Sequence, residues 1–172
     1  MAKKITKWEP DDFELEMTTH WSFPKRGNWA THDAKWRGNW SPYIPRNIIL
    51  RYSNEGDVVL DQFVGGGTTL VGAKLLNRDI IGVDVNDVAL DRCKEKVDFE
   101  HEGTNGKVNI RKGDARNLDF LSDDSIDLIW TCTTKFLVNW IRLQLNRFKD
   151  INDAIDKARV VFLNDVRSIL DF

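Results

Sequence analysis

The sequence predicts an α/β fold built on a mainly parallel sheet. Short apolar segments, which favour strands, alternate with longer amphipathic segments that favour helices, and this alternation is typical of strand–helix–strand units. The first two strand segments each end in an acid, Asp61 and Asp84, and three consecutive glycines follow soon after the first acid. Ligands of this fold class bind outside the carboxyl ends of the strands. We therefore expect a ligand site at that edge of the sheet.

Length and composition indicate one soluble domain. The 172 residues suffice for a single domain over 1–172, and the hydrophobic fraction of 41% and charged fraction of 30% are ordinary for a globular protein. No apolar stretch approaches the roughly 18 residues of a membrane span, and the amino terminus lacks the apolar core of a signal peptide. Cys93 and Cys132 lie far apart without metal-type spacing. We expect a cytoplasmic protein without a membrane span or a metal site.

The predicted elements follow one another from the amino terminus. Residues 1–45 form an arm, first polar and then a structured loop that contains prolines, glycines and tryptophans. A helix over 45–53 begins with Pro45 in its first turn, a position that favours proline. The α/β core covers residues 46–135. Its strands are predicted at 58–63, 79–85, 108–112 and 126–131, and its other helices at 67–77 and 86–98.

Residues 136–172 are predicted to form a helical tail. Apolar residues recur there at helical spacing, at Ile141, Leu145, Phe148, Ile151, Ile155, Ala158, Val161 and Phe162. No strand is evident beyond residue 131, so the sheet is predicted to be incomplete on its carboxyl-terminal side. Because strand edges are normally covered or paired, the tail, a second copy of the chain or a complementary subunit is expected to cover the fourth strand.

The segment VVLDQFVGGGTT at 58–69 restricts the class of ligand. Glycines let the backbone turn sharply and approach a ligand, and Thr68 or Thr69 could cap the helix that follows. A phosphate-binding P-loop needs a lysine after its last glycine, where Thr68 stands, and a dinucleotide site needs a third glycine at the place of Leu70. A nucleoside without a pyrophosphate remains, and the candidate is S-adenosylmethionine. The alternative is a strand–helix turn that binds no ligand.

Two acids suit such a nucleoside. Asp84, at the end of the second strand segment, could accept hydrogen bonds from both hydroxyls of a ribose. Asp114 follows the third strand in VNIRKGD, where an adenine ring would lie, and could accept from its amino group. Gly-Asp after a strand is also an ordinary turn, so for Asp114 that alternative stays open.

The arm combines basic and aromatic residues. Residues 20–51 carry six lysines and arginines against the single acid Asp33, although the net charge of the chain is −2, and five of its seven tryptophans lie in the first forty residues. Such a mixture suits phosphate contacts and stacking on bases, which would make a nucleic acid the partner. The tryptophans could equally pack as a lid over the open end of the sheet.

The stretch DQFVGGGTTLVGAKLLNRDIIGVDVN at 61–86 resembles the cofactor motif of amino-group DNA methyltransferases, which make N6-methyladenine or N4-methylcytosine. The usual form is Asp-Pro-Phe-x-Gly-x-Gly-Thr-Thr, followed by a strand ending in Ile-Gly-x-(Asp/Glu). Here Gln62 replaces the proline, and Gly66 stands where serine is frequent. SPYIPRNII at 41–49 resembles the family's motif that covers the methionine end of the cofactor. The whole resemblance covers roughly residues 20–131.

The resemblance implies a Rossmann-like methyltransferase sheet, S-adenosylmethionine as cofactor and DNA as the partner. The residues that would bind the cofactor are Asp61, Phe63, Gly65, Gly67, Thr68, Thr69, Asp84, Val85 and Asp114. Asp84 would hold the ribose and Asp114 the adenine. Because related motifs occur in RNA methyltransferases, RNA is the alternative substrate.

The chain departs from the family after the fourth strand, where these enzymes carry (Asp/Asn/Ser)-Pro-Pro-(Tyr/Phe). An exocyclic amine is a poor nucleophile, so an acceptor and a carbonyl hold its hydrogens while the aromatic ring stacks on the flipped base. The expected catalytic positions are Thr131, Cys132, Thr133, Thr134 and Lys135, which do not match this motif. Ser41-Pro42-Tyr43 upstream lacks the second proline. An active enzyme, a cofactor- or nucleic-acid-binding remnant and one subunit of a split enzyme remain as alternatives.

Overall fold

The computed structural model describes residues 5–37, 39–130 and 159–160. It confirms the predicted α/β class, because strands and helices alternate along the chain and the strands form one sheet. The elements are α1 Tyr43–Tyr52, β1 Val58–Asp61, α2 Thr68–Leu75, β2 Asp79–Asp84, α3 Asp87–Val97, β3 Val108–Lys112, β4 Leu128–Ile129 and β5 Arg159–Val160. Among the described residues, no helix is both long enough and apolar enough to cross a lipid bilayer.

The strands lie in the order β3-β2-β1-β4-β5, and every neighbouring pair is parallel. The register aligns Asp61 with Gly82, and Asp84 with Lys112. The carboxyl ends of β1, β2 and β3 therefore meet at one edge of the sheet. We call this edge, with the loops that follow these three strands, the carboxyl edge.

The core lies between the sheet and the helices that pack on it. Leu60 of β1, Ile80 and Val83 of β2 and Leu70 of α2 are fully or almost fully buried. Because burying such a side chain contributes about 1.5–3 kcal/mol, these residues fix β1 and β2 against α2. Gly82 has to be small for the same reason, since a Cβ on it would lie 2.7 Å from Leu70 Cδ2. The tips of β1 and β2 are thereby held in a fixed relation.

The observed elements differ from the predicted ones mainly at their ends. β1 ends at Asp61 rather than at residue 63, because the chain turns there and the Phe63 N–H donates to Asp61 Oδ1 at 3.1 Å. α3 begins at Asp87, within the predicted range. The Asn86 side chain caps this helix by accepting from the Val88 N–H at 3.0 Å.

A fifth strand corrects the expectation that no strand follows residue 131. Arg159 and Val160 pair in parallel with Leu128 and Ile129 of β4, so β4 is paired on both sides. Arg159–Val160 is only two residues long, and periodicity alone does not distinguish so short a strand from part of a helix. The rest of the predicted helical tail, residues 136–158 and 161–172, lies outside the described residues.

Candidate functional site

Asp61 lies buried at the tip of β1, with 4% of its surface exposed. Its carboxylate accepts hydrogen bonds from the Phe63 N–H and from the Thr69 side chain. Burial raises the pKa of Asp61 to about 6 against the opposing effect of these two bonds, and the charge of Asp84 adds to the rise. The tips of β1 and β2 therefore bring two carboxylates close together.

Asp84 joins the tip of β2 to the loop after β1. Its Oδ2 accepts from the Gly65 N–H at 2.9 Å, and its Oδ1 accepts from the Asn86 N–H at 2.9 Å. The residue is only partly buried, and each carboxylate oxygen can accept a second hydrogen bond. Both oxygens can therefore receive a further donor, as the two neighbouring hydroxyls of a ribose would supply.

The glycine turn, which we define as Gly65–Gly67, has a conformation and neighbours that require small residues. Gly65 has a φ of 47° and Gly67 a φ of 75°, both in the left-handed region that side chains disfavour. A Cβ on Gly67 would also lie 3.1 Å from Cys93 Sγ of α3. The buried Cys93 donates its thiol to the Gly65 carbonyl at 3.4 Å, so α3 packs directly against the turn.

Thr68 and Thr69 begin α2, and both are 3% exposed. The expectation that one of them caps this helix is wrong, because the N-cap is Gly67, which has no side chain. The Thr68 hydroxyl donates instead to Asn39 Oδ1 in the arm, and the Thr69 side chain bonds to Asp61. The two threonines thus tie the start of α2 to its surroundings.

Apolar side chains are exposed at the carboxyl edge. Phe63 after β1 is 40% exposed, and Val85 and Val88 after β2 are 63% and 67% exposed. Apolar side chains next to a few polar acceptors are typical of a small-molecule site. Their places at the ends of neighbouring strands suit contact with the flat faces of a nucleoside.

Asp114 lies at the same edge, because the preceding Gly113 donates its N–H to the Asp84 carbonyl at 3.1 Å. The carboxylate pairs with the Arg116 guanidinium, and these hydrogen bonds lower the pKa of Asp114 to about 2. It also accepts from the Arg116 N–H at 2.9 Å, so Asp114 organises a turn, as its alternative interpretation required. The side chain remains 42% exposed, which leaves it open to a further donor.

The expected catalytic positions, Thr131–Lys135, lie outside the described residues. The approach to them is described, because Trp130 after β4 donates its N–H to the Leu60 carbonyl of β1 at 2.9 Å. The chain therefore leaves β4 beside the tip of β1. Tyr43 of the upstream Ser41-Pro42-Tyr43 is buried and donates its hydroxyl to Asp12 Oδ1 at 2.7 Å, so it packs the arm rather than facing a substrate.

Sequence reasoning missed the two arm residues that touch the glycine turn. A Cβ on Gly66 would lie 2.7 Å from Trp36 Cβ and 3.0 Å from Asn39 Oδ1, and one on Gly65 would lie 3.1 Å from Trp36 Nε1. Trp36 therefore packs over the turn, which agrees with the alternative of a tryptophan lid. The clustering of tryptophans was the available signal, but no local pattern linked residue 36 to residue 66.

Most basic residues between 20 and 51 have partners within the chain. Internal partners hold Lys25, Arg26, Arg46 and Arg51. Lys35 and Arg37 are exposed, and within residues 5–37 and 39–130 neither side chain has an ion pair or a hydrogen bond. They flank Trp36, so these two available cations lie next to the tryptophan that covers the glycine turn.

Other candidate sites have less structural support than the carboxyl edge. A cavity of about 260 Å³ between Trp8, Arg78 and His101 lies near the amino-terminal ends of the strands, and no sequence-predicted site residue lines it. Within the described part of the chain, no group of three or more His, Cys, Asp or Glu side chains could hold a metal ion. The carboxyl edge is therefore the best-supported site.

Comparison with protein families gives two matches. Residues 2–95 match the family described as DNA methylase, and residues 59–155 match the family described as methyltransferase domain. The type II methyltransferase M.HpaI of Haemophilus parainfluenzae is 36% identical over 121 residues, which are 70% of this chain and 33% of that protein. M2.DpnII of Streptococcus pneumoniae is 43% identical over 60 residues, or 35% of this chain and 22% of that protein.

A solved structure supports the fold alone. The precorrin 8w decarboxylase of Methanobacterium thermoautotrophicum superposes with a TM-score of 0.55 and 18% identity, over 78% of this chain and 70% of that protein. Both curated relatives are much longer, because this chain spans 33% of the first and 22% of the second.

Proposed function

The chain belongs to the N6/N4 DNA methylase family, and from this premise we propose that its carboxyl edge binds the methyl donor for modification of DNA. The acceptor would be an exocyclic amino group of adenine or cytosine. The cofactor is S-adenosylmethionine. Because the chain spans only a third of M.HpaI, the reaction of the whole protein and its substrate belong to the proposal.

One observation carries this proposal: the Asp84 carboxylate bonds to the glycine turn at 2.9 Å. The bond holds the tips of two neighbouring strands together, so an acceptor for ribose hydroxyls lies beside a backbone that a ligand can approach closely. The carboxylate is only partly buried and keeps unused lone pairs on both oxygens, so it can bind a ligand while it holds the turn.

The residues at this edge fit the group in three parts. Asp114 would accept from the adenine amino group, Asp84 would hold the ribose, and the methionine end would lie beside the glycine turn. The exposed side chains of Phe63 and Val85 would contact the flat faces of the nucleoside. Thr68, Thr69 and the buried Asp61 would support the site without contacting the cofactor. Their side chains bond to neighbouring residues and so hold the glycine turn in place.

When bound, the cofactor would supply a methyl group on a sulfonium for transfer to the amine nitrogen, with cleavage of the carbon–sulfur bond and loss of a proton from the amine. The chain's own task is to hold the amine in line and accept its hydrogens. In this family that task falls to the segment after the fourth strand. Here Cys132 replaces the acceptor and Lys135 the stacking ring. A thiol is a weak acceptor, and a lysine cannot stack as tyrosine does.

This departure favours a second candidate function. The chain would bind the cofactor without transferring its methyl group alone, either as a remnant or as one subunit of a split enzyme whose partner supplies the missing motif. The sequence Thr-Cys-Thr-Thr-Lys at 131–135 is the observation that favours it. RNA in place of DNA is the remaining alternative for the substrate.

For nucleic acid, the support is the position of Lys35 and Arg37. Backbone phosphates supply most of the affinity in such complexes, and they are bound by exposed lysines and arginines. These two side chains are exposed on either side of Trp36. We therefore assign them contacts to phosphates next to the flipped base.

The test combines calorimetry and transfer assays on the purified chain. S-adenosylmethionine is expected to bind, and Asp84→Ala should weaken binding at least tenfold because charged hydrogen bonds contribute about 1.5–3 kcal/mol. Asp123→Ala, an exposed acid away from the carboxyl edge, is the control. Absence of binding by the wild-type chain would refute the proposed site.

Transfer of labelled methyl groups then separates the candidates. Transfer to duplex DNA that Asp84→Ala abolishes identifies a complete enzyme, whereas binding without transfer identifies the remnant or the split enzyme. Transfer to RNA but not to DNA would replace the proposed substrate.

A further inference from the structure

Trp36 covers the part of the carboxyl edge that the proposed function gives to the methionine half of the cofactor. We propose that Trp36 forms the wall of the site over this half and positions the sulfonium, an inference that rests on the proposed function. Trp36 lies outside the 41–49 segment, to which the family resemblance gives the cover of that end.

The order of the strands gives the direction of the cofactor along the edge. Asp114 follows β3, Asp84 ends β2 and the glycine turn follows β1, and these strands are neighbours in this order. With adenine at Asp114 and ribose at Asp84, the methionine half extends over the glycine turn towards β4. Trp36 packs directly on that turn, so it borders the space of the methionine half and not that of the nucleoside.

The contact between Trp36 and the turn explains the middle glycine. Gly65 and Gly67 have left-handed φ angles, but Gly66 does not, so backbone conformation gives no reason for a glycine there. Space does, because a Cβ on Gly66 would lie 2.7 Å from Trp36 Cβ and 2.9 Å from its Cγ. The indole takes the space that a side chain such as serine would need.

Two anchors hold the loop that carries this tryptophan. Asn39 accepts from the Thr68 hydroxyl of α2 and donates its Nδ2 to the Asp33 carbonyl at 3.0 Å. The Asp33 carboxylate accepts from the Arg92 guanidinium of α3 and lies 3.6 Å from Lys96 Nζ. The loop is thereby fastened to both helices that flank the glycine turn. Contacts within the chain therefore fix the position of Trp36, and less ordering on binding favours affinity.

The chemistry of an indole predicts which ligands feel its loss. An aromatic face attracts a nearby cation, so it favours the positively charged sulfonium of S-adenosylmethionine. S-adenosylhomocysteine has a similar shape but a neutral sulfur. Adenosine lacks the methionine half altogether. Removing the ring should therefore weaken the three ligands to different extents, in that order.

The experiment is calorimetry of the full chain with these three ligands. Trp36→Ala is expected to raise the Kd of S-adenosylmethionine about tenfold, that of S-adenosylhomocysteine by about threefold, and to leave adenosine unchanged. Trp36→Phe, which keeps an aromatic face, should recover most of the loss. Trp8→Ala is the matched control, because Trp8 stacks on His101 beyond the opposite ends of the strands with ring centroids 4.2 Å apart.

The outcomes separate this inference from the proposed function. A wild-type chain that binds none of the three ligands would overturn both. A wild-type chain that binds S-adenosylmethionine, together with a Trp36→Ala variant that binds it equally well or more tightly, would leave the proposed function standing and overturn the wall. An equal loss for adenosine would also overturn it, since the ring would then not act on the methionine half.

A second measurement needs no ligand. Gly66→Ser should lower the midpoint of thermal unfolding in the wild-type chain and change it much less in a Trp36→Gly background, which removes both the Cβ and the Cγ of Trp36 that the new side chain would meet. Equal shifts in the two backgrounds would show that Trp36 does not pack on Gly66, and would overturn the inference even if Trp36→Ala folds poorly.

Discussion

At the scale of single residues, His32 is a buried base that stays neutral. It is 8% exposed, and neither ring nitrogen has a hydrogen-bond partner within the described residues. Burial, together with the charge of Lys96, lowers the pKa of His32 to about 3. In the unfolded chain its pKa is near 6.5. Between these values the unfolded state binds a proton that the folded state does not.

Stability is therefore expected to fall as the pH drops from about 6.5 towards 3, with a slope of at most about 1.4 kcal/mol per pH unit from this group. His32→Leu removes the titration. Urea unfolding at pH 6.5 and 4.5 should show the wild type losing about 2 kcal/mol more than the variant. Asp61, whose raised pKa acts in the opposite direction, contributes equally to both chains. Identical losses would mean that His32 is protonated in the folded state.

Residues whose reason is local were predictable from the sequence, and residues whose reason is distant were not. Gly65 and Gly67 need left-handed φ angles, and Asp84 ends a strand, so each follows from its own segment. Trp36 and Asn39 reach the glycine turn from some thirty residues away. Only the folded structure shows that these two residues contact the glycine turn and the start of α2.

At the scale of elements, the start of α3 depends on one cap. Asn86 accepts from the Val88 N–H at 3.0 Å, and α3 packs against the glycine turn through Cys93. Asn86→Ala should lower the free energy of unfolding by about 1 kcal/mol, because the first-turn N–H loses its partner. Chemical denaturation measures this change. Asn105→Ala, in the exposed loop before β3, should stay within about 0.5 kcal/mol, and a similar loss there would point to a non-specific effect.

The strands show what sequence patterns resolve at this scale. β1 and β2 were predictable because a continuous apolar run before a turn is typical of a strand buried on both faces. β5 was not, because Arg159–Val160 is only two residues long and is defined by its pairing with β4. So short a strand is stabilised by its pairing with a neighbouring strand, and the local sequence carries no information about that pairing.

At the scale of the whole molecule, the proposed nucleic-acid binding would have to work against a net charge of −2. Local cations must then supply the attraction, and Lys35 and Arg37 are the basic arm residues whose side chains have no ion pair or hydrogen bond in the described part of the chain. The double variant Lys35→Glu with Arg37→Glu should weaken binding to duplex DNA. It should also reduce the slope of log affinity against log salt by about 2, one for each lost phosphate contact.

Fluorescence anisotropy over a salt series measures this slope. Lys107→Glu is the matched control, since Lys107 is equally exposed but stands before β3, at the opposite end of the strand from the carboxyl edge. An unchanged slope in the double variant, or the same change in the control, would remove Lys35 and Arg37 from the interface. Cofactor affinity should be the same in all three chains.

The buried thiol of Cys93 lies against the glycine turn, so its reactivity reports how often α3 separates from that turn. Burial raises the pKa of Cys93 to about 12, so an alkylating reagent cannot react with it while α3 stays in place. In a Cys132→Ser background, the rate at which the reagent labels Cys93 would measure how often the contact between α3 and the glycine turn opens. Saturating S-adenosylmethionine should lower the labelling rate if its binding stabilises the glycine turn. An unchanged rate would mean that ligand binding and the opening of α3 are independent.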